Sequence, residues 1–397
     1  MARIRILHQG GQPFLALPLR ETARMLAKSG HEVSISLLSE SPLSINQNPK
    51  AADYAAETIP GVDCRYFNLW SRRLPQSSVC MAVKYAEFFV RQLLGCLCAK
   101  ADLYIGFNSE TVLMAYLAAR LRRKKVIYYN DELSAHRNVP GRKVWAAIDR
   151  FTCRRVDWVV ACHPGRAEFL RTQGSIPYAP MVIPNVSEYR DLPRNASLRD
   201  FITEQGGGGI THVVIYQGGL SESRYALEMV QAFKYLPEET ALVLLGHADR
   251  AMREGIDAVI KEEDLEGRIF FHPYLNREDL LQRTASADVG LMLIRDDCLN
   301  ARYYAPTKLF EYWMAGVPVV CSDLPWNREL VEKVGGGVVV SDHSPQSIAE
   351  SIQSVLENEE GWEAMSKRCR QAVREEYNWE VQAGPLLELV ESLLSEC

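Results

Sequence analysis

The sequence predicts an α/β protein made of two doubly wound parallel-sheet domains facing across a cleft. Three observations carry that reading. Short apolar runs alternate with amphipathic stretches of helical period along most of the chain. One unit of this alternation (strand, Gly-Gly, helix, strand) occupies residues 4–38 and recurs at 213–245. Between the two series lies a polar stretch, 185–209, which holds Pro193 and ends in the glycines Gly206 to Gly209; it reads as a linker or hinge. At 397 residues the chain is also too long for a single core.

Each element follows from its local pattern. Residues 4–8 form a short apolar strand, a Gly-Gly turn follows, and 19–29 have helical spacing. Gly30-His31-Glu32 leads into a second strand at 33–38. Further helices are predicted at 83–99, 110–122, 140–155 and 164–173, with strands at 103–107, 126–129, 158–161 and 181–183. After the linker, strands are predicted at 213–216, 241–245, 269–271, 289–293 and 317–321. Helices at 225–235, 277–285, 306–315, 326–334 and 345–357 separate them. Ligands of such sheets bind beyond the carboxyl ends of the strands, so both Gly-Gly turns fall where a ligand is expected. Gly10-Gly11 and Gly218-Gly219 would each let a phosphate or sugar approach the backbone closely, although a lone Gly-Gly is usually only a tight turn. Neither completes a dinucleotide fingerprint or a P-loop lysine, so those chemistries lose support.

Composition and charge narrow the class. With 47% apolar and 24% charged residues the chain reads as globular. The ten cysteines include no CxxC pair and no zinc-like spacing, which suits free thiols in a reducing compartment. The opening MARIRILHQGG reads as a strand, with no continuous apolar core of a signal peptide, and no stretch reaches the roughly 20 apolar residues of a spanning helix. The expectation is a cytoplasmic protein. The net charge of −5 conceals a split: residues 1–190 hold 26 lysines and arginines against 15 acids, and the remainder holds 19 against 35. The basic half points to an anionic surface or substrate. Its densest run, Arg120 to Lys125, is either a solvated helix end or a peripheral contact with anionic lipid on the inner face of a membrane. No nucleic-acid motif accompanies the charge.

The most informative stretch is 305–323, APTKLFEYWMAGVPVVCSD. A proline-started helix offers backbone N–H groups to an anion, and Lys308 and Glu311 lie three residues apart on one face. N–H groups and a lysine for a diphosphate, with a carboxylate for ribose hydroxyls, would suit a sugar nucleotide. An ordinary surface helix with a salt bridge reads equally well on chemistry alone. No metal is implied: Asp296 and Asp297 are adjacent rather than spaced as a DxD pair.

These motifs together resemble the GT-B fold, Rossmann-like retaining glycosyltransferases of the group 1, or family 4, type, over nearly the whole chain. The matching pieces are Gly10-Gly11, Gly30-His31-Glu32-Val33, Val182-Ile183-Pro184-Asn185, Tyr216-Gln217-Gly218-Gly219-Leu220 with Arg224, Pro306 to Pro318, and Tyr377-Asn378-Trp379-Glu380. The resemblance implies an acceptor-binding domain at 1–190, a donor-binding domain at 191–377, and a last helix, 378–397, crossing back onto the first domain. It implies that Glu311 holds the nucleotide ribose. Thr307, Lys308 and Arg224 would face the donor diphosphate, and Gly219 would lie in the donor turn. Gly10 and Gly11 would line the loop near the reacting sugar.

The chain departs from the pattern in four places. The first glutamate of the family's E-x7-E is Tyr303, the lysine after the arginine is Tyr225, and a first-domain histidine position holds Phe107-Asn108. Asp131-Glu132 stand where many relatives carry His-Glu. On local pattern alone these two are loop or capping acids before Leu133; the resemblance makes them the candidate catalytic pair. The function implied is transfer of a sugar from a nucleotide donor to a glycan or lipid-linked acceptor with retention, in surface polysaccharide or glycoconjugate synthesis. The alternatives are a sugar-nucleotide epimerase on the same fold and a non-catalytic nucleotide-sugar-binding subunit.

Overall fold

The computed structural model describes residues 1–10, 16–38, 59–75, 77–133, 142–273, 275–357 and 361–396. The chain divides into two compact units, Met1–Ser187 with Cys298–Asn300 and Gln382–Cys397, and Glu188–Asp297 with Ala301–Val381. The first passage from one unit to the next thus falls at Ser187–Glu188, and residues 378–381 go with the second unit. The stretch read as a linker is largely part of the second unit and contains a helix, Ser197–Glu204, whose Leu198 and Ile202 are buried.

Among the described residues the first unit holds seven strands: β1 (Arg3–Leu7), β2 (Glu32–Leu38), β3 (Val62–Phe67), β4 (Leu103–Phe107), β5 (Lys125–Asn130), β6 (Trp158–Ala161) and β7 (Met181–Val182). Their order is β3-β2-β1-β4-β5-β6-β7. The second unit holds β8 (His212–Gln217), β9 (Thr240–Leu245), β10 (Ile269–Phe271), β11 (Val289–Met292), β12 (Val319–Ser322) and β13 (Gly337–Val340), in the order β10-β9-β8-β11-β12-β13. Every pairing of named strands is parallel. Central strands such as β4 and β9 are buried along their whole length, as continuous apolar runs in doubly covered sheets must be.

Both orders reverse at one point. β1 lies between β2 and β4, and β8 lies between β9 and β11, so each Gly-Gly turn leaves its sheet at the topological switch point. Strand β3 escapes the sequence reading because it is an edge strand of mixed polarity, VDCRYF, with none of its residues buried. The last helix, Gly384–Ser395, belongs to the first unit. There Glu391 meets His31 Nε2 at 3.0 Å and Glu396 meets Lys125 Nζ at 2.8 Å. No helix among the described residues is long and apolar enough to cross a membrane.

Candidate active site

In the second unit, β8 ends at Gln217 and the chain turns through Gly218, whose φ of +108° excludes most side chains. Space excludes them as well: a Cβ on Gly218 would stand 2.6 Å from Lys308 Nζ, so the lysine lies directly against the bare backbone. Gly219 is exposed, and its carbonyl accepts a 2.8 Å hydrogen bond from the Tyr216 hydroxyl. A one-turn 3-10 helix, Glu222–Arg224, then presents Arg224. Its guanidinium stacks over Tyr304, 4.9 Å from the ring centre. Tyr225 has φ +53°, and its ring stacks on His343 at 4.1 Å.

The predicted proline-started helix is Thr307–Met314, with Pro306 at its N-cap. Proline has no side-chain oxygen, and the helix start carries no side-chain cap hydrogen bond. Lys308 reaches over Tyr216, 4.6 Å from the ring centre and 3.5 Å from its hydroxyl. Burial and the neighbouring Arg224 charge push the Lys308 ammonium down to about 7, with Glu311 pulling the other way. One turn on, Glu311 is only 6% exposed, and Arg277 Nη1 lies 2.7 Å from its Oε1. Gly218, Arg224, Lys308 and Glu311 therefore form one cluster at the β8 switch point, with Thr307 and Gly219 at its margin. Two crowded cations at a helix start, with an acid one turn deeper, have the chemistry to pair with an anion and to accept from hydroxyls beside it.

Two contributors escaped the sequence reading. Arg277 lies 34 residues before Glu311, and no helical or strand spacing links them. Tyr216 was read as part of a motif, yet its ring is the floor under Lys308. Asp296, on the loop before Tyr303, pairs with Arg302 at 3.3 Å.

In the first unit, β1 runs into His8, whose Nδ1 accepts the Gly10 N–H at 3.0 Å. Burial pushes the imidazole down to about 4, so it is neutral at neutral pH with its proton on Nε2. A Cβ on Gly10 would stand 2.7 Å from the His8 ring, which explains the glycine. Gly11 lies outside the described residues. Asn108, at φ +59°, takes the place after β4, and its Oδ1 accepts the backbone N–H of both Asp131 and Glu132 at 2.8 Å.

Asp131 and Glu132 then part company. The Asp131 carboxylate accepts from Asn185 Nδ2 at 2.9 Å, and its carbonyl oxygen accepts from the Arg166 guanidinium and, at 3.2 Å, from the Cys162 thiol. It ties the ends of β5, β6 and β7 together. The Glu132 charge instead acts on His8, raising its proton affinity against the larger effect of burial. Asn108 and Asn185 thus hold the backbone and the Asp131 side chain of this turn. Sequence could have flagged His8 by its place just before Gly10-Gly11.

Comparisons with known proteins bear on the family and the fold. Residues 18–186 match the glycosyl transferase 4-like domain family, and residues 208–376 match glycosyl transferases group 1. Over 202 residues the chain is 25% identical to a D-inositol 3-phosphate glycosyltransferase of Xylanimonas cellulosilytica, covering 50% of this chain and 46% of that protein. The chain thus spans about half the length of that curated relative. The fold is shared with the sucrose-phosphate synthase of Thermosynechococcus elongatus, at TM-score 0.76 and 17% identity over 100% of both chains. It is shared too with Anabaena HepE, solved in complex with UDP and glucose, at TM-score 0.74 and 16% identity over 99% of this chain and 100% of that one. The two family matches, one to each half, together with the GT-B fold of these neighbours, make this chain a member of the group 1, or family 4, glycosyltransferases.

Proposed function

We propose that the protein transfers a glycosyl group from a nucleotide-sugar donor, held by the second unit, to a glycan or lipid-linked acceptor. The observation that carries this reading is Lys308, poised near pKa 7 between Arg224 and Glu311 over the bare backbone of Gly218. Two cations this close repel each other in the free protein. A donor diphosphate relieves that repulsion and returns a full proton to Lys308. As the bond to the anomeric carbon breaks, negative charge grows on the leaving diphosphate, and the same two cations stabilise it without rearrangement. Glu311 accepts the ribose hydroxyls, with Arg277 orienting its carboxylate. The reading needs no metal, because Arg224 and Lys308 supply the compensating charge.

Retention follows if the acceptor hydroxyl attacks on the face the nucleotide leaves, its proton passing to a leaving phosphate oxygen. In the first unit the two candidate carboxylates are Asp131, whose Oδ1 accepts from Asn185, and Glu132, whose charge acts on His8; the second is the one we assign to the reacting groups. The basic first half suits an anionic or membrane-borne acceptor and a role in surface polysaccharide or glycoconjugate synthesis on the cytoplasmic side. UDP-sugars are the first donors to test, because HepE was solved with UDP and glucose.

Thermal-shift screening against UDP-, GDP-, ADP- and dTDP-sugars should single out one nucleotide. Incubation with that donor and candidate acceptors should give a new glycoside with retained anomeric configuration. Absence of any nucleotide-dependent stabilisation would overturn the donor assignment. Conversion of the donor to an epimer without acceptor would replace transfer by epimerisation.

A further inference from the structure

The helix Ser78–Cys98 of the first unit is apolar on its outward side as well as on its inward side, where Phe88 and Cys96 are buried. Its side chains turned inward include Lys84, only 1% exposed, and Gln92, whose amide donates to the Ser36 carbonyl at 3.5 Å. Its outward side carries Val79, Ala82, Val83, Ala86, Val90, Leu94 and Cys98, a stripe of helical spacing along the full length of the helix. Val79 is 75% exposed, Val83 47%, Val90 53% and Leu94 55%. The helix has three charged residues, and none serves the stripe. Lys84 is buried, and Glu87 pairs with Arg91 at 2.9 Å while accepting the backbone N–H groups of Trp70 and Ser71 at 2.6 and 2.8 Å. A face this long with no charge is rarely left to water.

What borders the stripe names its occupant. Trp70, 83% exposed, stands beside the helix with the Arg91 guanidinium 3.9 Å from its ring centre. Trp70 opens a 3-10 turn, Trp70–Arg73, and Arg73 is exposed at its end. At the far end of the helix Lys100 is exposed. There Arg122 donates to the Leu97 carbonyl, which brings the end of the Asn108–Arg122 helix alongside, with exposed Arg120, Leu121 and Arg123. An apolar stripe, a tryptophan at its edge and arginines and lysines around it are the make-up of a surface that lies in a lipid headgroup layer. We propose that this face docks the protein on an anionic bilayer, with the valines and Leu94 entering the acyl boundary and the basic rim pairing with lipid phosphates. The helix lies along the membrane and does not cross it. The inference goes beyond glycosyl transfer, and because its test needs no donor the two can fail separately.

The experiment is vesicle flotation of the full chain with phosphatidylglycerol–phosphatidylcholine vesicles and with phosphatidylcholine alone. Wild type should float with the anionic vesicles, less so with the neutral ones, and less as salt is raised. Val83→Glu with Val90→Glu should cut the bound fraction about tenfold or more, and Trp70→Ala should weaken it by a smaller factor. Both valines face solvent, so melting temperature should hold; Val83→Ser with Val90→Ser repeats the test if the glutamates disturb folding. Failure of wild type to float with either vesicle would overturn the proposal. So would unchanged flotation of the double variant. A lipid-free dimer that the double variant converts to monomer, without vesicle binding, would assign the face to a second copy of the chain instead.

Discussion

The two switch points of this molecule share a scaffold and differ in chemistry. In both, a strand of a doubly wound parallel sheet ends in a glycine turn with a side chain lying close against the bare backbone: His8 at Gly10 and Lys308 at Gly218. In the first unit the intruding group is a neutral imidazole, with a carboxylate, Glu132, acting on it. In the second it is a lysine crowded by an arginine. One fold therefore yields an uncharged, acid-bordered turn in one unit and a cationic turn in the other; under the proposed function the first serves the acceptor hydroxyl and the second the donor diphosphate. The fold sets where ligands go, and the residues at the strand ends decide which ligands they are.

The comparison breaks most visibly by removing charge from the second turn. Lys308→Ala and Arg224→Ala should each weaken nucleotide-sugar binding by about 1.5–3 kcal/mol, roughly 10- to 150-fold in Kd by calorimetry. Glu132→Gln should leave that Kd within about twofold while cutting turnover at least roughly 100-fold, within the range of general acid–base effects. Equal losses of donor affinity from both turns would erase the distinction drawn here.

A smaller effect concerns the backbone. Gly218→Ala places a Cβ at φ +108° and against Lys308 Nζ. It should destabilise the fold by about 1–3 kcal/mol, a fall of roughly 2–8 °C in melting temperature, and should weaken donor binding by displacing the lysine.

The smallest effects are in pH. His8, lowered to about 4 from an ordinary 6.5, favours the folded state when neutral. Its contribution is complete above about pH 6.5 and fades as pH falls toward 4, because the unfolded chain takes up the proton first. Lys308, lowered to about 7 from 10.5, also binds fewer protons folded than unfolded, so stability rises with pH between 7 and 10.5. Donor binding runs the other way: a nucleotide sugar, whose diphosphate charge is constant across this range, should bind more weakly as pH climbs above 7. Lys308→Arg should flatten that slope, and the His8→Gln variant should leave it unchanged.

Much of this was legible in the residues. The Gly-Gly turns, the Lys308–Glu311 spacing and the alternation of elements gave the fold class and one side of the cluster at the β8 switch point, because helix and strand periods are local. Long-range partners were not legible. Arg277 meets Glu311 from another helix, and Asn185 meets Asp131 from 54 residues away. Edge strand β3 was hidden by its polarity, and the Ser197–Glu204 helix by the glycines that follow it. The distinction between Asp131 and Glu132 is invisible in a dipeptide and emerges only when Asn185 and His8 are brought up beside it.

The central claim is that the second unit alone supplies the charge that receives the donor. Calorimetric titration of the donor selected by thermal shift, against wild type and Lys308→Ala at pH 6.5 and 8.5, tests it most directly. Wild type should bind more tightly at pH 6.5, with proton uptake on binding at pH 8.5, and Lys308→Ala should lose both the affinity and the proton uptake. Donor binding by the variant with unchanged affinity and unchanged proton uptake would contradict the account.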